Sequence, residues 1–155
     1  MCLKHGTGTD SFKNGDVYTG EYSNGKPHGK GEYRWGTGQV YVGDFARGFK
    51  HGKGKWKSVN NHTTCNVYEG DYKHDKKNGF GVFTWASGNI YKGEYQDDER
   101  HGNGQMLWTD SSMYEGEWTR GIQHGIGRMI FPDGTIKEGY FENNVFKYPI
   151  GGSES

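Results

Sequence analysis

Aromatic residues and glycines alternate along this chain in a pattern that returns many times. In each copy a tyrosine, a glycine and a second aromatic residue take every other position, as in the segment from Tyr18 through Gly20 to Tyr22. Successive side chains of a β-strand point to opposite faces, so these three positions share one face. The pattern therefore predicts short strands with one aromatic face and one variable, mostly polar face.

A second element alternates with the first. It is a pair of glycines one residue apart, preceded by His5, His28, His51, Asn78, His101 and His124. The steps between these positions are 23, 23, 27, 23 and 23 residues. The tyrosine element has five clear copies, and a sixth, degenerate copy begins at Lys137. Two elements that alternate at one period predict an array of repeats.

Each repeat is predicted to be a β-hairpin whose first strand runs from the glycine pair to an aromatic residue. Turn residues such as Asn14-Gly15 and Asp133-Gly134 follow, because both tolerate positive φ, and the tyrosine strand comes next. The third repeat has four extra residues, which we expect to lengthen the turn within 58–66. The array is expected to span residues 4–146, and 147–155 to form a C-terminal cap and a loose tail.

The predicted fold class is all-β: an elongated single-layer antiparallel sheet of about six tandem hairpins. A glycine between two aromatic residues leaves a slot on the shared face, which we expect a neighbouring ring to fill. Large rings bury about 150–250 Å² each. One hairpin is marginal alone, whereas stacked copies stabilise one another.

Composition modifies this picture in one respect. Only 30% of the residues are hydrophobic, which taken alone would favour disorder. However, 15% are aromatic and 28 are glycine, which favours tight turns between strands with buried rings. The formal net charge is +0, but residues 1–57 carry 10 Lys/Arg against 5 Asp/Glu, so the first part is basic and the rest acidic. This split either orients a partner along the molecule or is a chance feature of a large surface.

The repeat resembles the MORN repeat. The tyrosine element followed by the histidine and glycine pair is clearest in segments 18–31, 41–54 and 114–127, and the resemblance covers nearly the whole chain. It implies an open, curved, single-layer sheet and a scaffold function in cilia, flagella, the cytoskeleton or membrane-linked complexes. A tandem run with little else is similar to radial-spoke and other axonemal members.

The chain departs from the repeat pattern at five positions. Asn78 replaces the histidine, Lys137 replaces the last tyrosine, and Asp75, Asp98 and Asn144 replace a loop glycine. The first copy also lacks a preceding tyrosine strand. We therefore expect an unpaired strand at the N-terminal edge, covered by a partner or a second copy, or else left by a longer protein.

Catalysis, cofactors and metal binding are not expected. Successive repeated histidines would lie two strands apart, at about 9–10 Å, so they could not share one metal ion. The glycine pairs lack the Gly-Lys-Ser/Thr of a phosphate-binding loop. Cys65 near His62 lies in a polar turn without the pocket that a reactive thiol needs. An active site is one constellation, whereas a repeated feature favours an extended binding surface.

The candidate partner-binding residues are the repeated aromatics, since aromatic side chains are common interface anchors. They are Tyr18, Tyr22, Trp35, Tyr41, Phe45, Tyr68, Tyr72, Trp85, Tyr91, Tyr95, Trp108, Tyr114 and Trp118. Their alternative role is packing between repeats. The predicted partner is a cytoskeletal or axonemal protein held along the sheet, and two copies could also associate through a sheet end.

Two other functions remain open. Lys53, Lys55 and Lys57 form a basic strip that could bind anionic lipid headgroups, although three lysines supply only about 3 kcal/mol. The array could also be the regulatory section of a larger enzyme. Nucleic acid is not an expected partner because the acidic part would repel phosphate. With only two cysteines and no apolar N-terminal segment, an intracellular location is expected, in the cytoplasm or cytoskeleton and in a cilium or flagellum.

Overall fold

The computed structural model describes residues 3–60 and 64–150, which form one antiparallel sheet with its strands in chain order. The thirteen strands are β1 (Gly6–Ser11), β2 (Val17–Ser23), β3 (Lys26–Arg34), β4 (Val40–Ala46), β5 (Phe49–Asn60), β6 (Thr64–Lys73), β7 (Lys76–Thr84), β8 (Ile90–Gln96), β9 (Glu99–Leu107), β10 (Met113–Thr119), β11 (Ile122–Ile130), β12 (Ile136–Glu142) and β13 (Val145–Pro149). At about 4.8 Å per strand, twelve intervals span about 58 Å. The predicted all-β, single-layer sheet is confirmed: β1 to β12 are six hairpins, and β13 adds one strand.

Each strand pairs only with its neighbours in sequence, so β1 and β13 are the edges of the described sheet. The described residues form no helix that is long and apolar enough to cross a membrane. An edge strand at the N-terminal side was expected. What covers it remains a prediction.

Two kinds of turn alternate along the sheet. The turn after each tyrosine strand has two residues with positive φ, for example Asn24 at 53° and Gly25 at 79°, as a type I′ turn requires. Where the structure describes it, the turn at the other end of a hairpin has positive φ at one position only, such as Gly15 at 93°. The expectation of positive φ at both Asn14 and Gly15 is therefore wrong, because these turns are three-residue loops closed between Phe12 and Asp16.

Tyrosine rings form the core of the sheet. The first tyrosine of each of five repeats has no exposed surface: Tyr18, Tyr41, Tyr68, Tyr91 and Tyr114. The Tyr91 ring meets Tyr95 and Trp118 edge to face, with both centroid distances at 5.3 Å. Its hydroxyl donates a hydrogen bond to the Glu94 carbonyl at 2.8 Å. Equivalent contacts in the other repeats connect the rings into a continuous ladder.

The second glycine of the five pairs from Gly31 onward makes room for this ladder. A Cβ atom on Gly104 would lie 2.5 Å from Cζ of Tyr91, so no larger residue fits beneath the ring. The tyrosine of the adjacent strand thus covers the glycine, and its hydroxyl also lies over the glycine of its own strand, Gly93. The slot was expected to hold a neighbouring ring. The hydroxyl end of Tyr91, two residues earlier on the same strand, lies over the slot at Gly93.

The first glycine of the five pairs from Gly29 onward belongs to a β-bulge. Between β10 and β11 the register shifts after Gly116, and the amide of Ile126 donates to the Glu117 carboxylate at 2.6 Å. Gly125, with φ of 110°, leaves the space that this carboxylate occupies. In the other repeats, the equivalent backbone amides donate to the carboxylates of Glu21, Asp44, Asp71 and Glu94. The repeated acidic residue is therefore part of the fold, since it satisfies an amide that the bulge frees from the ladder.

Two segments differ from their prediction. The extra residues of the third repeat mostly lengthen strands, since Ser58 pairs with Asn66 and Asn60 with Thr64. Only 61–63 remain of the predicted long turn, and they lie outside the described residues. Residues 147–149, part of the segment expected to form a cap, are the second half of β13, where Tyr148 pairs with Tyr140. The predicted loose tail, 151–155, also lies outside the described residues.

Candidate functional site

The candidate site is the face of the sheet that carries the tyrosine ladder, which we name the ring face. Ten of the thirteen predicted aromatics on it are at most 6% exposed, and they form the core: Tyr18, Tyr22, Tyr41, Phe45, Tyr68, Tyr72, Tyr91, Tyr95, Tyr114 and Trp118. A partner cannot reach these side chains while the sheet is folded, so we assign them to packing. The other three, Trp35, Trp85 and Trp108, are partly exposed and pack against the core from above.

Sequence analysis missed a second set of residues on the ring face. They lie directly opposite the core tyrosines on the following strand: Tyr33, Trp56, Phe83, Met106 and Met129. Met106 is buried, and the others are partly exposed. Most of them stand two residues before an aromatic already selected, as Tyr33 does before Trp35. The alternation of side chains along a strand could therefore have found them.

The partly exposed aromatics line shallow grooves. One groove of about 390 Å³ lies between Tyr33, Trp35, Phe45, Lys50 and Asp75. Within it the Tyr33 and Trp35 ring centroids are 4.8 Å apart.

The equivalent groove two repeats further along the chain has a volume of about 270 Å³. It is lined by Phe83, Trp85, Tyr95, Lys77 and Arg100, together with acidic residues on its rim. The Phe83 and Trp85 centroids are 4.7 Å apart, so the aromatic pair of the first groove is repeated here.

A third groove of about 460 Å³ lies at the end of the hairpins beyond Trp108. Met129, Phe131 and Pro132 supply its apolar wall, and Asp110 lies on its rim. All three grooves thus place an apolar or aromatic floor beside charged groups. This is the composition of a surface that takes apolar side chains and fixes them with a few polar contacts.

A row of cations lies across the rings in successive repeats. The Nζ atom of Lys50 is 5.3 Å from the Trp35 ring centroid and 5.2 Å from that of Tyr72. Lys77 and Arg100 take the same position in the next two repeats, and Arg100 is 5.0 Å from the Trp118 ring. Each such contact contributes about 0.5–2 kcal/mol, according to its exposure. Burial lowers the pKa of Lys50, against the attraction of nearby carboxylates.

These cations recur every second strand, about 9–10 Å apart. Lys77 is 3.5 Å from the Asp98 carboxylate, and Arg100 donates to the Gly121 carbonyl at 2.6 Å. The ring face therefore offers alternating aromatic and cationic positions from β5 to β9, whereas Pro27 and Gln123 take the equivalent positions on β3 and β11. An extended segment with acidic and apolar side chains would match that alternation.

The repeated histidines serve the fold. Nδ1 of His28 accepts a hydrogen bond from the Arg47 amide at 3.3 Å, and His51 accepts one from the His74 amide at the same distance. Asn78 does the same through its side-chain oxygen, at 3.4 Å from the Asp97 amide. In residues 3–60 and 64–150, no three His, Cys, Asp or Glu side chains converge as metal ligands would.

The predicted lysine strip lies on the opposite face, which we name the back face. Lys53 forms an ion pair with Asp71 at 2.5 Å, and Lys55 stands directly opposite Glu69. Both lysines are exposed, as is Lys57. The acidic neighbours reduce the net attraction of this strip for an anionic surface. Sequence analysis did not expect Cys65 and His62 to form a reactive pair, and His62 lies outside the described residues.

Comparison with known proteins identifies the repeat. The MORN repeat family model matches residues 18–40, 41–63, 68–90, 91–113 and 114–136. The four residues between the second and third matches, 64–67, equal in number the four extra residues of the third repeat. Five copies match, whereas sequence analysis counted about six, because the last copy has lost its tyrosine at Lys137. A search of curated proteins returned no match to the chain.

Proposed function

Since the chain belongs to the MORN-repeat family, whose repeats bind proteins or membranes, we propose that it is a non-catalytic scaffold that holds a segment of a partner protein along its ring face. The observation that carries this proposal is the row of grooves on that face. Trp35, Trp85 and Trp108 are partly exposed there, while the rings beneath them are fully packed. A rigid floor with accessible aromatic anchors is what a peptide-binding surface needs.

The proposed partner segment is extended and carries acidic side chains between apolar ones. An extended chain rises about 3.3 Å per residue, so three residues span about 10 Å. That distance matches the separation of Lys50, Lys77 and Arg100 on alternate strands. Each of these three repeats would then contribute one cation and its aromatic neighbours to the same segment. Many weak, regularly spaced contacts favour a scaffold role over a catalytic one.

We also propose that the partner belongs to a cytoskeletal assembly, in particular an axonemal one of the radial-spoke type, and that the protein acts inside the cell. The tandem run of repeats that makes up nearly all of the chain supports this proposal. The presence of only two cysteines also supports a reducing compartment. Self-association through a sheet end remains a prediction.

Affinity capture from an extract of ciliated cells tests the proposal. The full chain would be compared with a Trp85→Ala/Trp108→Ala variant, in which two partly exposed anchors of the ring face are removed. The matched control is Phe80→Ala/Val42→Ala, which removes two side chains that are 56% and 50% exposed on the back face. Far-UV circular dichroism and thermal unfolding would establish that all three proteins are folded.

The expected result is a set of cytoskeletal or axonemal proteins, identified by mass spectrometry, that the tryptophan variant loses and the control variant keeps. Equal capture by all three proteins, or loss in the control alone, would contradict a binding site on the ring face. Enrichment of membrane components alone would contradict the protein-scaffold proposal.

Membrane binding is the alternative, because the family includes this activity. Vesicles containing phosphoinositide would be mixed with the chain and with a Lys53→Glu/Lys55→Glu/Lys57→Glu variant. On the scaffold proposal neither protein sediments with the vesicles at physiological salt. Sedimentation of the native chain that the variant loses would assign the function to the lysine strip instead.

A further inference from the structure

The back face carries an apolar stripe across its C-terminal half. Cross-strand pairing brings one residue from each strand into a single row: Val67, Thr84, Ile90, Leu107, Met113, Ile130 and Ile136. This set, the back-face stripe, crosses seven strands from β6 to β12. Six intervals of about 4.8 Å give it a length of about 29 Å.

The stripe is accessible and is confined to one half of the molecule. Ile136 is 51% exposed, and its pairing partner Ile130 is partly exposed. In the N-terminal half the same row contains Arg34 and Lys57 between its valines, so the apolar surface is interrupted there. A row of this length that is apolar apart from Thr84, on a chain poor in aliphatic residues, indicates an interaction surface.

Carboxylates lie on both sides of the stripe. Asp110 and Asp133 stand in the turns next to it, where hydrogen bonds from Ser112 and Thr135 lower the pKa of each carboxyl and keep it ionised. On the other side, the two rows of back-face positions next to the stripe hold six acidic residues against two basic ones across β6 to β12, and Lys73 and Lys76 lie further along β6 and β7. The acidic residues are Glu69, Asp71, Glu94, Glu115, Glu117 and Glu138, and the basic residues are Lys92 and Arg128.

We propose that the back-face stripe docks a basic amphipathic helix of a second partner. A helix rises 1.5 Å per residue, so about 19 residues would cover the stripe. Its apolar face would lie on the row from Val67 to Ile136, and lysines or arginines at its margins would face Asp110, Asp133 and Glu138. The chain would then join two partners, an acidic extended segment on the ring face and a basic helix on the back face.

A second copy of the chain fits this surface less well. Two stripes placed against each other would bring together two acidic rims, and like charges oppose such an interface. Placing the stripe against the N-terminal half of another copy would cover apolar side chains with Arg34 and Lys57. A basic helix satisfies the apolar row and both rims together.

An 18-residue fluorescent peptide of leucine and lysine, with its leucines on one helical face, serves as the probe. Its binding to the full chain would be measured by fluorescence anisotropy. The peptide controls are a scrambled sequence of the same composition and a version with glutamate in place of lysine. The protein variants are Ile130→Lys, Ile136→Lys and Val40→Lys, the last of which changes the same row in the N-terminal half.

We expect saturable binding of the basic peptide. Ile130→Lys and Ile136→Lys should each raise its dissociation constant at least tenfold, whereas Val40→Lys should change it by less than twofold. Trp85→Ala should also leave it unchanged, which separates this site from the ring face. If Ile130→Lys does not fold, Ile136→Lys alone decides, because that side chain is already half exposed. The proposal is overturned if the scrambled or acidic peptide binds equally well, if the stripe variants bind like the native chain, or if the chain forms a dimer that these variants dissociate.

Discussion

Replacing Gly104 by alanine tests the packing of the tyrosine ladder in a central repeat. The new Cβ would lie 2.5 Å from Cζ of Tyr91, well inside van der Waals contact. The ring cannot retreat, because Tyr95 and Trp118 hold it edge to face on either side. Alanine at this position should therefore force Tyr91 out of its slot and break its bond to the Glu94 carbonyl.

The loss of stability caused by Gly104→Ala can be worked from the surface that the Tyr91 ring would expose. A tyrosine buries about 150–250 Å², which at about 25 cal/mol per Å² corresponds to about 4–6 kcal/mol as an upper bound. The lost hydrogen bond adds about 1 kcal/mol, and partial relaxation of the sheet returns some of the total. We expect the free energy of unfolding to fall by about 3–5 kcal/mol. This is a large share of the stability of an ordinary domain.

Gly8 provides the matched control. It takes the same repeat position in the first copy, but a Cβ there would lie 3.4 Å from the Tyr22 ring, an ordinary contact. Gly8→Ala should thus change the free energy of unfolding by less than about 1 kcal/mol, with a small gain from reduced backbone freedom.

Urea unfolding followed by far-UV circular dichroism gives both values. The double variant Tyr91→Ala/Gly104→Ala should be no less stable than Tyr91→Ala alone, because the clash disappears with the ring. Additive losses in the double variant, or equal effects at Gly104 and Gly8, would refute the proposed packing.

Three further predictions concern the fold. Glu117→Ala should lower the free energy of unfolding by about 1 kcal/mol in urea unfolding, because it leaves the bulge amide without its acceptor, whereas Glu115→Ala on the same face should cost less than about 0.5 kcal/mol. Burial raises the pKa of Tyr114 to about 12. The contribution of Tyr114 to the free energy of unfolding should therefore be complete below pH 10 and be lost between pH 10 and about 12. Tyrosine ionisation, followed by absorbance at 295 nm, that precedes unfolding would contradict this. Hydrogen bonds from a backbone amide and a tyrosine hydroxyl lower the pKa of Asp16 below 3.8, so its contribution should be complete above about pH 4 and be lost as the pH falls further, and Asp16→Asn should flatten acid unfolding curves in that range.

The sequence predicted the repeat unit and the direction of its side chains well. The period and the alternation of Tyr18, Gly20 and Tyr22 were enough for an antiparallel sheet with one aromatic face, which the structure confirms. The reason is that a period-2 pattern and a regular spacing of turn residues depend only on local geometry. The role of Glu117 in satisfying the bulge amide could not be predicted, because the register shift that frees this amide arises from strand pairing.

The candidate site was harder to predict from sequence. Tyr114 and Trp108 are both repeated aromatics on one face, yet one is fully buried and the other partly exposed. The difference in burial depends on which rings lie over a glycine of the neighbouring strand. The spacing of residues in the sequence does not show how deeply each ring is buried. The back-face stripe was missed for a related reason. Its members come from seven strands, so it becomes visible only once the pairing register is known.

Hydroxyl-radical footprinting of the captured complex tests the central claim most directly, namely that the ring face holds a protein segment. Oxidation of each residue would be compared by mass spectrometry between the free chain and the complex. We predict that partner binding protects Trp35, Trp85 and Trp108 and leaves the exposed back-face residues Val42 and Phe80 unchanged. Unchanged oxidation of all three tryptophans in the complex would contradict the account.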